Sequence, residues 1–203
     1  LAAGTAFAQA APFDFAAVEA QAQKLATEPY REVPSIDGDM KKLGYDQYRA
    51  LRTKPDTALW RDGKSLFRID SGQFDFSDTG LKDPPKAIAP AGFKITHPLN
   101  RADKFDEVIS FLGASYFRPV GRGQEYGSSA RGLAIDTATG KPEEFPTFRS
   151  FWLVKPADGA GDLTVWALLD SPAAAGAFSF VIRPGARTVV ETKAVLFIRR
   201  DVS

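Results

Sequence analysis

The stretch that decides the fold is residues 151–198, FWLVKPADGAGDLTVWALLDSPAAAGAFSFVIRPGARTVVETKAVLFI. It contains four apolar or β-branched runs, each bounded by Gly, Pro or Asp, which is typical of strands separated by turns. The predicted strands are 151–154, 163–169, 178–182 and 188–198. The polar gap at 156–162 predicts a hairpin loop.

The strand signal continues upstream of this stretch. Phe93 and Ile95 alternate around a lysine, and Phe74 and Phe76 alternate around an aspartate, as in half-buried strands. Residues 79–90 are rich in proline and predict a loop. Because several strands follow one another at regular spacing, the sequence favours an antiparallel arrangement over alternating strand–helix units.

Helices are predicted mainly at the N-terminal end. Apolar residues recur at intervals of three and four from Phe15 to Leu25, and Asp14 is placed to cap the start. A second short helix is predicted over 45–51, and residues 103–112 predict a short helix or turn. The fold class predicted is therefore all-β, an antiparallel β-sandwich with short N-terminal helices.

Composition restricts the function. The chain has 203 residues, 44% of them hydrophobic, which is enough for one substantial core. Lys plus Arg is 26 and Asp plus Glu is 25, so no long-range field attracts nucleic acid, and a neutral partner is expected. The absence of cysteine excludes disulfides and thiolate chemistry. With one histidine, His97, which is predicted to be structural, neither a metal site nor a cofactor is expected.

The first twelve residues, LAAGTAFAQAAP, are apolar and mostly small. Residues 6–8 and 8–10 both have the A-x-A form that signal peptidase reads, so residues 1–12 are interpreted as the remnant of a signal peptide. A short Ala-rich helix or strand fragment is the alternative. Since no stretch is long and apolar enough to span a bilayer, the chain is expected to be exported and soluble.

Family resemblance rests on residues 106–152, which read DEVISFLGASYFRPVGRGQEYGSSARGLAIDTATGKPEEFPTFRSFW. The match extends upstream through 91–94 and 98–100, and downstream through 167–172 and 176–177. This order of short sequence motifs resembles that of the periplasmic glucans biosynthesis G/D family.

The resemblance implies a large N-terminal β-sandwich of the galactose-mutarotase-like kind, followed by an immunoglobulin-like domain. Family members are longer, so residues 13–203 are expected to be part of the large domain, without its C-terminal portion. The family's catalytic carboxylates lie beyond Ser203, so no catalytic residue is named in this chain. The family also has further strands that are not found here between Phe67 and Arg68.

The resemblance also implies a function. The expected role is periplasmic, in the making of osmoregulated glucans whose backbone is β-1,2-linked glucose. The expected partner is a β-glucan oligosaccharide or polysaccharide, and contact with the membrane glucan synthase machinery is a further expectation. Some members resemble endo-β-1,2-glucanases that act by inversion. The alternative function is therefore a β-1,2-glucanase or transglycosylase whose catalytic acids lie outside this chain.

A neutral oligosaccharide is bound by aromatic faces and planar polar groups within a groove. The residues that supply this set, and are predicted to bind substrate, are Tyr116, Arg118, Tyr126, Arg131, Asp136 and Trp152. Alternation places Phe117 in the core and its two neighbours toward the groove. The alternative is a buried hydrogen-bonding pair of Tyr116 with Arg118 that holds two sheets.

The segment that follows has its own predictions. The glycine-rich loop 121–127 is expected to carry Tyr126 to the rim. Residues 128–136 predict a strand with Arg131, Leu133 and Ile135 on one face. Asp136 would lie on the opposite face, where an ion pair with a nearby arginine is the alternative to a binding role.

Hydrolysis by this chain alone is not supported by its carboxylates. Glycoside hydrolysis requires two carboxylates facing each other, and the candidates are Asp136, Glu143, Glu144 and Asp170. Glu143 and Glu144 are predicted to be solvated in a loop, and Asp170 to start a turn. The chain is therefore interpreted as a glucan-binding part, and a structural sandwich without a ligand is the third hypothesis.

Overall fold

The computed structural model describes residues 13–32, 44, 52–61, 63–70, 74–75, 77–79 and 92–202. The predicted signal-peptide remnant at 1–12, the second helix at 45–51 and most of the loop at 79–90 lie outside the described residues.

The described residues form one helix, eleven strands and two short 3-10 turns, at Pro55–Thr57 and Ser77–Thr79. The helix and strands are α1 Phe15–Thr27, β1 Arg52–Thr53, β2 Arg68–Asp70, β3 Phe74–Asp75, β4 Gly92–Arg101, β5 Lys104–Leu112, β6 Tyr116–Pro119, β7 Ala130–Arg131, β8 Thr147–Val154, β9 Leu163–Asp170, β10 Ala174–Arg183 and β11 Val189–Ile198.

Two large antiparallel sheets contain most of the strands in the described residues. One has five strands in the order β2-β4-β5-β6-β7, and the other has four in the order β11-β10-β9-β8. A separate two-stranded pair joins β1 to β3. The four strands predicted between residues 151 and 198 are the strands of the four-stranded sheet, and the loop predicted at 156–162 joins β8 to β9. The prediction of an all-β antiparallel sandwich is confirmed.

The main core lies between the two sheets and is rich in phenylalanine. Phe180 of the four-stranded sheet contacts Phe111 and Phe117 of the five-stranded sheet, with ring centroids 5.1 Å apart in both pairs. Phe148 and Phe178 surround the same ring from their own sheet, at 5.8 and 6.0 Å. Three of these contacts are edge-to-face and that of Phe178 with Phe180 is stacked, and both kinds add to the free energy gained by burial. These aromatic rings therefore hold the two layers together.

A smaller core lies on the other side of the four-stranded sheet, where α1 packs. Val18 and Ala22 of the helix are fully buried against Leu168 and Ala177 of the sheet. The Asp14 carboxylate accepts a hydrogen bond from the Ala17 amide at 3.0 Å, so the predicted N-cap is confirmed. The outer face of this sheet is thus covered by the helix.

A buried charge cluster ties the helix to the four-stranded sheet. The Asp170 side chain is 1% exposed, and its carboxylate oxygens lie 2.6 Å from Arg149 Nε and 2.6 Å from Arg199 Nη1. Arg199 also donates to the backbone oxygens of Ser171 and Leu25, each at 2.5 Å. The cluster therefore joins the β9–β10 turn, the end of β11 and the last turn of α1.

Two predictions about local structure are wrong. Residues 103–112 form the central strand β5 rather than a helix or turn. Residues 128–136 are strand only at Ala130–Arg131, because the chain then turns inward at Gly132, whose amide donates to the Ser115 carbonyl at 2.8 Å. Arg131 therefore faces outward while Leu133 packs against the main core, instead of sharing a face with it.

Candidate functional site

The candidate site is the outer face of the five-stranded sheet. Antiparallel partners point to the same face, and here they bring together polar side chains from four strands. The cross-strand pairs on this face are Lys94 with Ser110, Thr96 with Glu107, Ser110 with Arg118, and Tyr116 with Arg131. No helix covers this face among the described residues, whereas α1 packs on the outer face of the other sheet.

The alternation predicted along β6 is confirmed. Phe117 packs inward against Phe111 at 5.8 Å between ring centroids. Tyr116 and Arg118 lie on the opposite face, each half-buried. Their partners are other residues of the same face, so they do not form the hydrogen-bonded pair between sheets that was the alternative.

Tyr126 lies over this face against Arg118, whose guanidinium carbon is 4.1 Å from the centre of the Tyr126 ring. Burial raises the pKa of Tyr126, and the neighbouring carboxylate of Glu107 raises it further. The residue nevertheless remains 47% exposed. Tyr126 therefore presents a neutral aromatic surface to solvent across the physiological pH range.

Glycines allow the loop that carries Tyr126 to lie close to the rest of the fold. A Cβ on Gly121 would lie 2.5 Å from the Ala186 carbonyl oxygen in the β10–β11 turn. Gly123 has a φ of 66°, in the left-handed region that glycine adopts without strain. The loop is also tied to that turn by the Arg122 amide, which donates to the Gly185 carbonyl at 2.9 Å.

Arg131 organises the other end of the face. Its guanidinium donates to the Tyr116 hydroxyl at 3.0 Å and forms an ion pair with Glu143. It also lies 5.5 Å from the centre of the Tyr116 ring and 5.1 Å from that of Phe145. Hydrogen bonds from Arg131 and Thr137 lower the pKa of Glu143, so this ion pair persists at mildly acidic pH.

Arg118 contacts the Tyr126 ring, and Arg131 contacts the Tyr116 and Phe145 rings. The two groups lie side by side because Arg118 and Tyr116 are two residues apart on the same face of β6. Together they form a row of rings and guanidinium groups, which we call the ring–guanidinium row, with its members in the order Tyr126, Arg118, Tyr116, Arg131 and Phe145. The terminal rings are 47% and 51% exposed, whereas the three inner members are half-buried. The row offers aromatic surface at both ends and hydrogen-bonding groups between them.

Acidic groups extend the face beyond the row. Glu107 forms an ion pair with Lys94 at 2.9 Å, and Asp70 of β2 lies opposite Lys94 in the register. Burial raises the pKa of Asp70, and the Glu107 charge raises it further against the opposing effect of Lys94. Sequence reasoning missed Glu107 because it assigned this segment to a helix or turn. Phe145 was missed because it lies in a proline-flanked loop with no strand pattern.

Two of the predicted binding residues lie away from the row. Trp152 is on the outer face of the four-stranded sheet, where its ring stacks on Phe13 at 5.2 Å and faces Trp166 across the strands. These three rings line a separate cleft of about 410 Å³ beside the start of α1. Asp136 is buried in the turn after Ile135, with a φ of 57°. Of the six predicted residues, the structure brings together the other four.

The candidate carboxylates Glu143, Glu144 and Asp170 are engaged by other groups of the protein. Glu143 is bound to Arg131, and Asp170 lies between two arginines. The Glu144 carboxylate accepts from the Ala173 amide at 2.9 Å and from Arg200 at 2.7 Å. The expectation that Glu143 and Glu144 are merely solvated is therefore wrong, because both anchor the loop that joins β7 to β8.

The surroundings of His97 do not support a chemical role for it on this face. The His97 ring packs against Phe67 at 4.9 Å between centroids, and burial lowers its pKa, so the imidazole is neutral at pH 7. Across the part of the chain that the structure describes, no group of three His, Cys, Asp or Glu side chains is arranged to hold a metal ion. In the same residues no helix has the length and apolar character needed to cross a bilayer.

Comparison with known proteins gives a consistent result. A family model described as "Periplasmic glucan biosynthesis protein, MdoG" matches residues 13–71 and 65–203. The chain is 44% identical over 230 residues to a glucans biosynthesis protein G of Ralstonia nicotianae, covering 98% of this chain and 45% of that protein. It is 42% identical over 219 residues to one of Rhodopseudomonas palustris, covering 94% and 44%.

A third relative, the glucans biosynthesis protein G of Bradyrhizobium diazoefficiens, is 44% identical over 210 residues, covering 89% of this chain and 42% of that protein. The chain thus spans a little under half the length of the curated relatives it matches. The family match includes the whole ring–guanidinium row and every strand of both sheets. The chain belongs to the MdoG family of periplasmic glucan biosynthesis proteins.

Proposed function

We propose that this chain is the part of a periplasmic protein of osmoregulated glucan biosynthesis that binds the β-1,2-linked glucose backbone, and that it does so on the ring–guanidinium row. The observation that carries the proposal is the row itself, with exposed rings at its ends and a tyrosine and two arginines between them. Sugar rings stack on aromatic faces, and planar polar groups bond to hydroxyls. The names of the relatives supply the glucan, and the description of the family supplies the periplasmic compartment.

The cationic side chains of the face are engaged by other groups of the protein. Lys94 and Arg131 form ion pairs with Glu107 and Glu143 respectively. Arg68 and Arg118 lie over the rings of Phe105 and Tyr126. The engagement of Glu143, Glu144 and Asp170 by arginine also favours binding over hydrolysis within this part of the protein.

The test is the affinity of Tyr126→Ala for linear β-1,2-glucan oligosaccharides, measured by calorimetry. We expect a loss of roughly tenfold or more, because a stacking contact of about 1 kcal/mol and the order imposed on Arg118 are both removed. Phe13→Ala is the matched control, since Phe13 is 44% exposed in the cleft of the other sheet. An unchanged affinity in Tyr126→Ala, or a loss in Phe13→Ala instead, would place the glucan elsewhere.

We also propose that residues 13–203 are part of a larger β-sandwich domain. Support comes from β11, which among the described residues is an edge strand paired only with β10. Leu196 and Ile198 lie on its core-facing side and yet are 39% and 56% exposed. Apolar residues in this position are typical of a strand that another element covers.

This edge predicts self-association of the chain. Ile198→Lys should lower the concentration-dependent rise in sedimentation coefficient or light scattering, because it places a charge on the exposed apolar side of the strand that a second chain would cover. Val189→Lys is the control, since Val189 is 52% exposed on the other side of the same strand. The prediction fails if the chain is monomeric at every concentration, or if both variants change association equally.

A further inference from the structure

Phe145 is an exposed aromatic ring on a loop that is firmly held. The ring is 51% exposed, although its two neighbours on the N-terminal side are both anchored. Glu143 is bound to Arg131 and Thr137, and Glu144 to the Ala173 amide and Arg200.

The backbone of this loop is also constrained. The Glu144 amide donates to the Ile135 carbonyl at 3.2 Å, which closes the turn. Asp136, Ala138 and Gly140 all have positive φ, at 57°, 57° and 80°. Positive φ is unfavourable for the first two residue types, so the surrounding contacts must stabilise the turn. The loop therefore displays Phe145 in a fixed position rather than leaving it exposed by chance.

Each terminal ring of the row has a guanidinium group close to it. Arg118 lies 4.1 Å from the Tyr126 ring centre and Arg131 lies 5.1 Å from that of Phe145. A cation near a ring holds it in place and leaves its exposed surface for a ligand. Between the two rings lie Tyr116 and Arg118, which are about 7 Å apart along β6. The row is therefore longer than one sugar ring.

We propose that Phe145 is a second stacking platform, so that the row binds an extended run of several glucose units rather than a single residue or a chain end. This inference rests on the proposed function and adds the length of ligand that the site takes. Phe145 and Tyr126 each carry one end of the run, and the groups between them bond to the hydroxyls of the units in the middle. Affinity then rises with chain length until both rings are covered.

The experiment measures the affinity of the full chain for linear β-1,2-linked glucose oligosaccharides from the disaccharide upward. Wild type is expected to gain affinity with length and then to level off. Phe145→Ala should bind the shortest ligands as wild type does, but should level off earlier, with affinity for long ligands roughly tenfold weaker. Tyr126→Ala should weaken both, and Phe13→Ala, a matched loss of an exposed ring on the other sheet, should weaken neither.

A second variant tests the loop rather than the ring. Glu143→Gln keeps Phe145 but removes the charge that binds Arg131, so it should reproduce part of the loss for long ligands only. The inference is overturned if Phe145→Ala matches wild type at every length, or weakens short and long ligands by the same factor. Binding that depends on Tyr126 but not on Phe145 would overturn it alone. If neither wild type nor any variant binds the glucan, both this inference and the proposed function are overturned.

Discussion

Asp170→Asn is expected to lower the free energy of unfolding by about 3–5 kcal/mol, the usual cost of removing one partner from a buried ion pair. The Asp170 side chain is 1% exposed and lies between Arg149 and Arg199, the second of which is 9% exposed. In Asp170→Asn the guanidinium groups of Arg149 and Arg199 remain close together in the interior, and only the neutral amide oxygen of the new side chain is left to accept from them. The cluster also joins α1 to the sheet through Leu25, so the helix should loosen in the same transition.

Thermal and urea unfolding followed by circular dichroism would measure this effect. The matched control is Asp103→Asn, which removes the carboxylate of a surface ion pair. The side chains of that pair, Arg101 and Asp103, are 69% and 67% exposed. An exposed pair contributes about 0–1 kcal/mol, so the control should unfold close to wild type. Equal losses in the two variants would show that Asp170 is not the centre of a buried charge cluster.

Phe180→Ala is expected to cost a further large amount, about 3–5 kcal/mol. The Phe180 side chain is fully buried and contacts rings from both sheets, so its removal leaves a cavity where the two layers meet. Phe145→Ala is the control for the same change of residue, because that ring is exposed and its loss should shift stability by no more than about 0.5 kcal/mol. A small effect at Phe180 would contradict the sandwich core described above.

The strands that sequence reasoning located best are those of the four-stranded sheet. They have apolar side chains toward the main core, and residues such as Leu168 and Ala177 also meet α1 on the other face. Burial on both faces gives these strands nearly continuous apolar sequences between turn residues, and such sequences are easy to recognise.

Strand β5 was missed because its pattern is irregular. Val108 and Ile109 are adjacent and both fully buried, which breaks the period of two. The cause is a bulge, where the pairing with β4 shifts between Ile95 and Thr96. A bulge depends on the partner strand, so the sequence of β5 alone does not reveal it.

The candidate site was predictable only in part, for a similar reason. Alternation along β6 is local and correctly separated Tyr116 and Arg118 from Phe117. Alternation also turns Trp152 away from the main core, but it does not say which sheet the strand joins, and β8 belongs to the other one. Phe145 approaches the row because Glu143 and Glu144 anchor its loop to Arg131 and Arg200, contacts that depend on the folded chain.

Hydrogen–deuterium exchange of the full chain, with and without linear β-1,2-glucan, would show whether the outer face of the five-stranded sheet binds the glucan. We expect slower exchange in β6, in the loop 121–127 and in residues 143–146, with α1 and β8 unchanged. Slower exchange confined to residues 13–27 and 152–166, around the cleft of Phe13 and Trp152, would contradict it.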